Sequence, residues 1–351
     1  MNQFKHSSLI LKIKILLSII YIFEIMTPVK YLGYSEILQI RNPALIISIV
    51  FFLPKYLDIQ RLTIIAFLNL IMLLPTIINA IDGHHQIESK ILISELAALN
   101  MIILIILLTN TKSAPDIIKS LGKKWTIYMP IAILIMNTAL SLTFTANGYR
   151  THVGEILLPF LLYVTINKGA LLKNTGLALL ALIGNSRGYF LSIMIGQIAQ
   201  VKLRLMLVYL LAVISIMSLI ISQNLIRNIN LDLIEESPSE FINIATSGRF
   251  VEINELSSSQ KSMIYGEGLG TILEISQQEK TIHWSHSIAF NLYYKFGIIG
   301  IIAFAIIFYQ KLKPRGKAQF AYLLSIFIYA NLDFSILLNP AWVLLYRAIQ
   351  K

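Results

Sequence analysis

Long apolar segments, separated by short polar breaks, constrain the fold of this chain more than any other feature. A bilayer-crossing helix needs about 20 predominantly apolar residues. Only 13% of the 351 residues are charged and 56% are hydrophobic, whereas soluble domains carry about 25% charged residues. The breaks predict twelve segments, at 8–26, 35–53, 62–80, 91–109, 125–145, 153–167, 174–186, 188–201, 205–222, 286–309, 318–337 and 339–349. We therefore expect an all-α, polytopic membrane helical bundle, in which several segments are short for an untilted crossing.

The lysines and arginines predict the orientation of these segments. With the N-terminus in the cytoplasm, 19 of the 29 basic residues fall at predicted cytoplasmic positions, and every cytoplasmic loop is basic, as the positive-inside rule requires. These residues are Lys5, Lys12, Lys14, Lys55, Arg61, Lys112, Lys119, Lys123, Lys124, Lys168, Lys173, Lys202, Arg204, Lys311, Lys313, Arg315, Lys317, Arg347 and Lys351. The net charge of +11 is thus read as an orientation signal, and no nucleic-acid partner is expected.

The same alternation divides the chain into three parts. Residues 1–222 hold nine segments, 223–285 form one large external loop, and 286–351 hold the last three segments. The loop contains apolar residues at helical spacing (Phe250, Ile253, Leu256) and the Gly-rich turn Gly266-Glu-Gly-Leu-Gly270. Because a long loop with such signals is usually functional, we predict a small folded cap, helical in parts.

Three arginines lie away from the predicted cytoplasmic face. Arg150 is in an external loop, Arg187 is at a break between two short apolar segments, and Arg249 is in the large loop. Arginine keeps its charge, and its planar fork matches phosphate and carboxylate oxygens. The three sites suggest a polyanion such as a lipid diphosphate. Simpler explanations are that Arg150 extends to the interface and that Arg249 pairs with a loop glutamate.

His286 stands where the polar loop gives way to an apolar helix. A histidine there can titrate near neutral pH and move protons. Lys295 follows about 13.5 Å further along a helix, within reach of a lipid phosphate or a buried acid. Trp284 is either a membrane-interface residue or a platform for a sugar ring.

Several other chemistries lack their sequence signals. The chain has no cysteine, which excludes disulfides and thiolate chemistry. It has no Walker A motif for ATP and no Gly-x-Ser-x-Gly elbow. Its five aspartates form no Asp-x-Asp pair, the arrangement with which many sugar transferases hold a metal ion. We expect neither a metal nor a cofactor.

Three local motifs, taken in order, resemble the superfamily of O-antigen polymerases and O-antigen ligases, which are bacterial envelope enzymes. They are Ser186-Arg187-Gly188 at the start of a short helix, Ser247-Gly-Arg249 followed by Gly266-x-Gly-Leu-Gly270 in the large loop, and His286-Ser287-x9-Gly297-x-x-Gly300. The order and topology match over most of the chain. Two departures are that no tryptophan follows Arg249 closely and that the Arg150 loop matches only loosely.

The resemblance implies a fold of the glycosyltransferase C type in the bacterial inner membrane, with a large periplasmic loop and an active site that faces the periplasm. It implies inverting, metal-independent transfer of a glycan from undecaprenyl diphosphate to a sugar hydroxyl. Membrane lipids and a chain-length regulator are further candidate partners. O-antigen, capsule and exopolysaccharide all remain candidate products.

The resemblance also assigns roles. Arg187 and Arg249 would hold the donor diphosphate, and His286 would act as base on the acceptor or position it. Arg150, Lys295, Trp284 and Ser287 are the expected substrate-binding residues. Two alternatives stay open: a ligase that transfers the glycan to lipid A–core, and a lipid-linked glycan flippase.

Overall fold

The computed structural model describes residues 59–82, 88–107, 114–143, 157–168, 176–181, 187–200, 263–275, 280–282, 287–332, 336–337 and 341–349, with a few isolated residues elsewhere. Its helices are α1 (Ile59–Ile81), α2 (Ser89–Leu107), α3 (Ala114–Lys123), α4 (Met129–Thr143), α5 (Leu158–Lys168), α6 (Arg187–Ile198), α7 (Ile288–Leu312), α8 (Lys317–Ala330) and α9 (Ala341–Ala348). A π-helical turn, Lys124–Tyr128, joins α3 to α4, and two short strands, β1 (Leu273–Ile275) and β2 (Lys280–Ile282), precede α7.

Three of the described helices are long and apolar enough to cross a membrane. They are α1 from Leu62, α2 and α7, with mean hydropathies of 2.3, 2.2 and 1.9. They match the segments predicted at 62–80, 91–109 and 286–309. Helix α1 also turns large apolar side chains outward, among them Phe67, Leu70 and Leu74, as lipid contact requires. The protein is therefore a membrane-embedded helical protein.

The prediction of twelve segments is tested only in part. The segment 8–26 lies almost wholly outside the described residues, and 35–53 and 205–222 lie entirely outside them. The number of crossings and the three-part division of the chain stay predictions.

Helices α1 and α2 are joined by a polar pair within an apolar surface. The amide of Asn69 donates to Asn100 Oδ1, and the amide of Asn100 donates back to Asn69 Oδ1, both at 2.8 Å. Each amide therefore satisfies the other where water is scarce, and the pair fixes the register of the two helices.

Helix α3 lies where the sequence predicted a basic cytoplasmic loop. It buries Ile117, Ile118 and Leu121 while Lys119 and Lys123 are exposed, and it packs against α9. The apolar face of this helix explains why the segment is ordered, and its basic face explains why it is rich in lysine. The sequence did not predict this helix, and the cytoplasmic position of the segment stays a prediction.

Short helix α5 lies at the centre of a second group of helices. Residues 157–166 are buried on every side, and α5 contacts α6, α8 and α9. Helices α6 and α8 pack closely, with Tyr189 and Tyr329 in an edge-to-face contact at 5.9 Å. A helix that is apolar all round is expected in such a central position.

Residues 263–275 and 280–282 of the large loop are not helical. Residues 263–272 form turns, and β1 and β2 pair as an antiparallel hairpin in which Leu273 faces Ile282. The hairpin is a small departure from the expected all-α class. Within the stretch of Phe250, Ile253 and Leu256, where helix was predicted, only Asn254 is described, and its backbone is helical.

Basic residues gather where α7 ends and α8 begins. Arg347 of α9 donates to Lys311 O at 2.8 Å, and the Tyr346 hydroxyl donates to Leu312 O at 2.8 Å. The connection Lys313–Lys317 contains three basic residues. One end of this helix group is therefore strongly basic, and the positive-inside rule predicts that this end is cytoplasmic.

The absence of cysteine makes the orientation directly testable. We expect a membrane-impermeant maleimide to label Asn254→Cys in intact spheroplasts, and to label Arg315→Cys only after permeabilisation. Both side chains are exposed, and they lie on opposite sides of the predicted membrane. Labelling of Arg315→Cys in intact spheroplasts would reverse the orientation.

Candidate functional site

Helix α7 is broken at Gly297, where the backbone has φ 60° and ψ −158°. The break interrupts the helical hydrogen bonds and leaves carbonyl oxygens without helical donors. The loop supplies the donors, because Glu267 N–H binds Tyr294 O at 2.8 Å and Gly268 N–H binds Lys295 O at 2.9 Å. The large loop thus inserts its backbone into the broken helix.

The same exchange occurs on the other side of the break. Ile298 N–H donates to Met263 O at 3.0 Å, and Ile299 N–H donates to Ile264 O at 3.2 Å. Four hydrogen bonds between the loop and α7, two donated from each side, therefore replace those that a straight helix would form. Irregular backbone at membrane depth is tolerated only where protein satisfies and covers it, and residues 263–268 do so here.

Glycines permit this close approach. Gly266, Gly268 and Gly270 all have positive φ angles, of 74°, 81° and 80°. A Cβ on Gly266 would lie 2.6 Å from Gly297 N, and one on Gly268 would lie 2.7 Å from Thr76 Cα. A Cβ on Gly297 would overlap the loop backbone at Ile264.

Helix α1 holds the turn from its other side. The Thr76 hydroxyl accepts from Leu269 N–H at 2.7 Å, and the Asn79 amide donates to Gly266 O at 3.3 Å. Both α1 side chains are buried. The turn is therefore bound between α1 and α7 mainly through its backbone, which explains why small residues are needed there.

A buried ion pair lies beneath the turn. Lys295 Nζ is 3.0 Å from Glu95 Oε1, and both side chains are 1% exposed. Lys295 Nζ also donates to Thr271 O and to Thr271 Oγ1, both at 2.8 Å. The other Glu95 oxygen accepts from Gly270 N–H at 2.7 Å. The pair thus joins α2, α7 and the loop through hydrogen bonds that compensate the burial of charge.

The start of α7 is fixed by the end of α8. The Ser287 hydroxyl donates to Asn331 Oδ1 at 2.9 Å and accepts from Phe290 N–H at 3.3 Å. Ala289 N–H donates to the same Asn331 oxygen at 3.2 Å. Ser287 is therefore an N-cap, and Asn331 satisfies a further first-turn N–H group.

The start of α6 meets the same end of α8. The helix begins at Arg187, and a Cβ on Gly188 would lie 3.1 Å from the Tyr329 ring and 3.3 Å from Leu332. The first turns of α6 and α7 are thus brought together around residues 329–332. Gly188 and Ser287, which belong to two of the three sequence motifs, therefore both lie against the end of α8.

The structure describes only some of the predicted site residues. Arg150, Arg249, Trp284 and His286 lie outside the described residues. Arg187 is placed as the first residue of α6, without a described side chain. The predicted roles of all five stay predictions.

The structure places Lys295 and Ser287 in internal contacts. Of the two partners considered for Lys295, a lipid phosphate and a buried acid, it shows the acid, Glu95. Ser287 is 9% exposed, and its hydroxyl bonds to Asn331 and Phe290. Substrate contact by either residue stays a prediction.

Glu95 and Asn331 were not among the site residues predicted from the sequence. Glu95 is the only acidic residue of apolar helix α2, and a lone charge inside a membrane segment is a sign of a specific partner. Asn331 gave no such signal, because a polar residue after an apolar helix is common. Among the described residues no three His, Asp or Glu side chains lie close enough together to hold a metal ion.

Comparisons with known protein families, characterised proteins and solved structures found no match to this chain.

The break at Gly297 gives a test of stability. We expect Gly297→Ala to lower the free energy of unfolding by at least about 2 kcal/mol, because a side chain at positive φ is strained and its Cβ would overlap the Ile264 backbone. Gly122→Ala is the matched control, since Gly122 also has positive φ, 77°, but has open space around it. Thermal unfolding in detergent measures both. Equal effects of the two substitutions would show that the loop contact contributes nothing.

The ion pair gives a second test. We expect Lys295→Met and Glu95→Leu each to cost about 3–5 kcal/mol, because each leaves an uncompensated buried charge. The double variant should lose markedly less than the sum, because no charge is then buried. Strictly additive losses in a thermal-unfolding cycle would show that the two groups are not coupled.

Proposed function

We propose that the protein is a glycan polymerase of the bacterial inner membrane, which joins undecaprenyl-diphosphate-linked repeat units at the periplasmic face. The observation that carries the proposal is the convergence of α6 and α7 at residues 329–332. Arg187 begins one helix, and His286 directly precedes the cap of the other. The residues proposed for the donor phosphate and for the base therefore belong to neighbouring chain segments.

The chemistry suits these residue types. The acceptor hydroxyl oxygen attacks the anomeric carbon of the donor sugar, and the bond to the diphosphate oxygen breaks. The lipid diphosphate leaves with the bonding electrons, and Arg187 and Arg249 stabilise its charge. His286 takes the proton of the hydroxyl. Without a metal ion, the arginines supply the positive charge on which departure of the diphosphate depends.

The charge distribution supports a periplasmic location. Helix α7 runs from Ile288 to Leu312, and the basic connection Lys313–Lys317 follows it directly. If the basic end is cytoplasmic, the end that carries Ser287 faces the periplasm. A lipid-linked repeat unit would be presented to the enzyme on that side.

The docked turn supports the role of the large loop as a cap. Residues 266–271 are buried among α1, α2 and α7. The loop that carries Arg249 is therefore anchored to α7 at the break, ten residues further along the chain than the Ser287 cap. Such an anchor limits where the loop can place its arginine.

We expect His286→Ala, Arg249→Ala and Arg187→Ala each to abolish polymerisation by the full-length protein with a defined lipid-linked repeat unit in proteoliposomes. The loss should be at least 100-fold, because each change removes the base or a stabilising charge. The controls are His6→Ala and Arg315→Ala, which remove the same residue types at the predicted cytoplasmic face. Normal long-chain product from His286→Ala would exclude the catalytic role.

The same assay separates the alternatives. Addition of lipid A–core tests the ligase, since a ligase transfers glycan to that acceptor and forms no longer lipid-linked chain. In cells, deletion of a polymerase leaves one repeat unit on the lipid A–core, whereas deletion of a ligase or a flippase leaves none.

A further inference from the structure

Asn331 is an exposed residue at the end of α8 whose side chain is nevertheless fixed. Its amide nitrogen donates to Phe327 O at 2.8 Å, one turn back in its own helix. This bond turns the amide oxygen towards α7, where it accepts from the Ser287 hydroxyl and from Ala289 N–H. The two ends of one amide group thus join the last turn of α8 to the first turn of α7.

These hydrogen bonds fix residues that follow the proposed base, His286, in the sequence. Ser287 directly follows His286 in the sequence, and Ala289 lies in the first turn of α7. A first-turn N–H group has no partner inside its own helix, so a fixed external acceptor sets the position of that turn. Asn331 therefore holds the first turn of α7, which follows His286 in the sequence.

Residues close to Asn331 in the chain pack against the start of α6. Tyr329 and Leu332 both lie against Gly188, at the start of α6. There is too little room for a larger side chain at Gly188 without displacement of one of them. The end of α8 is therefore in contact with the first turns of α6, which begins at Arg187, and of α7, whose cap Ser287 follows His286 in the sequence.

We propose that Asn331 is a positioning residue for glycosyl transfer, which holds the start of α7 so that His286 meets the acceptor hydroxyl at the donor held by Arg187. This inference rests on the proposed function. The oxygen of Asn331 positions the base through Ser287 and Ala289, and its neighbours place the start of α6.

The test is a kinetic comparison of the full-length protein in proteoliposomes with a lipid-linked repeat unit. Asn331→Leu keeps the size of the side chain but removes the acceptor oxygen. We expect kcat to fall about 10- to 100-fold with KM nearly unchanged, because a small displacement of a catalytic group costs rate rather than binding. The matched control is Asn100→Leu, which breaks the amide pair with Asn69 and should lower stability without this selective loss of kcat.

Variants of Ser287 test how Asn331 acts. Ser287→Ala should lower kcat in the same way, and Ser287→Thr, which keeps the hydroxyl, should restore it. If the hydroxyl serves Asn331, the double variant Ser287→Ala with Asn331→Leu should be no slower than the slower single variant. If the losses of kcat in the two single variants multiply in the double variant, and Ser287→Ala raises KM, then Ser287 binds substrate directly. That result would overturn the proposal that Asn331 acts through Ser287.

The outcomes separate this inference from the proposed function. Wild-type kcat in Asn331→Leu, together with an inactive His286→Ala, would overturn the positioning role and leave the polymerase proposal intact. Wild-type activity in His286→Ala would overturn both. An equal loss of kcat in Asn331→Leu and Asn100→Leu would show a general effect on folding and would overturn the positioning role.

Discussion

The exchange of backbone hydrogen bonds at Gly297 is the contact on which the described structure depends. A break in a membrane helix exposes N–H and C=O groups, each of which costs several kcal/mol if it stays unsatisfied in hydrocarbon. Residues 263–268 satisfy four such groups. The loop and the helix therefore stabilise each other, because the broken helix needs donors and acceptors from the loop, and the loop forms four backbone hydrogen bonds at the break.

The ion pair of Lys295 with Glu95 follows from the same geometry. The break and the inserted turn form a closed environment in which Lys295 is within reach of Glu95 and Thr271. Buried charge of this kind adds specificity rather than net stability. Its partners lie on α2, on α7 and in the loop, so only one arrangement of these three parts satisfies it.

The sequence predicts the elements whose signals are local, and it fails where partners are distant in the chain. Helices α1, α2 and α7 follow from apolar length alone. Helix α3 was missed because its lysines suggested a loop, although its buried isoleucines depend on α9. The motif that contains Gly297 was noticed, but its function as a docking point needs Gly266, some thirty residues earlier. Asn331 is defined only by a contact with Ser287, 44 residues away.

The spacing of the signature His286-Ser287-x9-Gly297 has a physical meaning in this structure. Gly297 lies ten positions after the cap at Ser287, which is about 15 Å of helix and nearly three turns. One end of this stretch is held by Asn331 and the other by the loop turn. One added residue would rotate the start of α7 relative to the break by about 100°, so Asn331 and Glu95 could no longer both keep their partners. The fixed spacing thus relates the position of the proposed base to the docking of the loop.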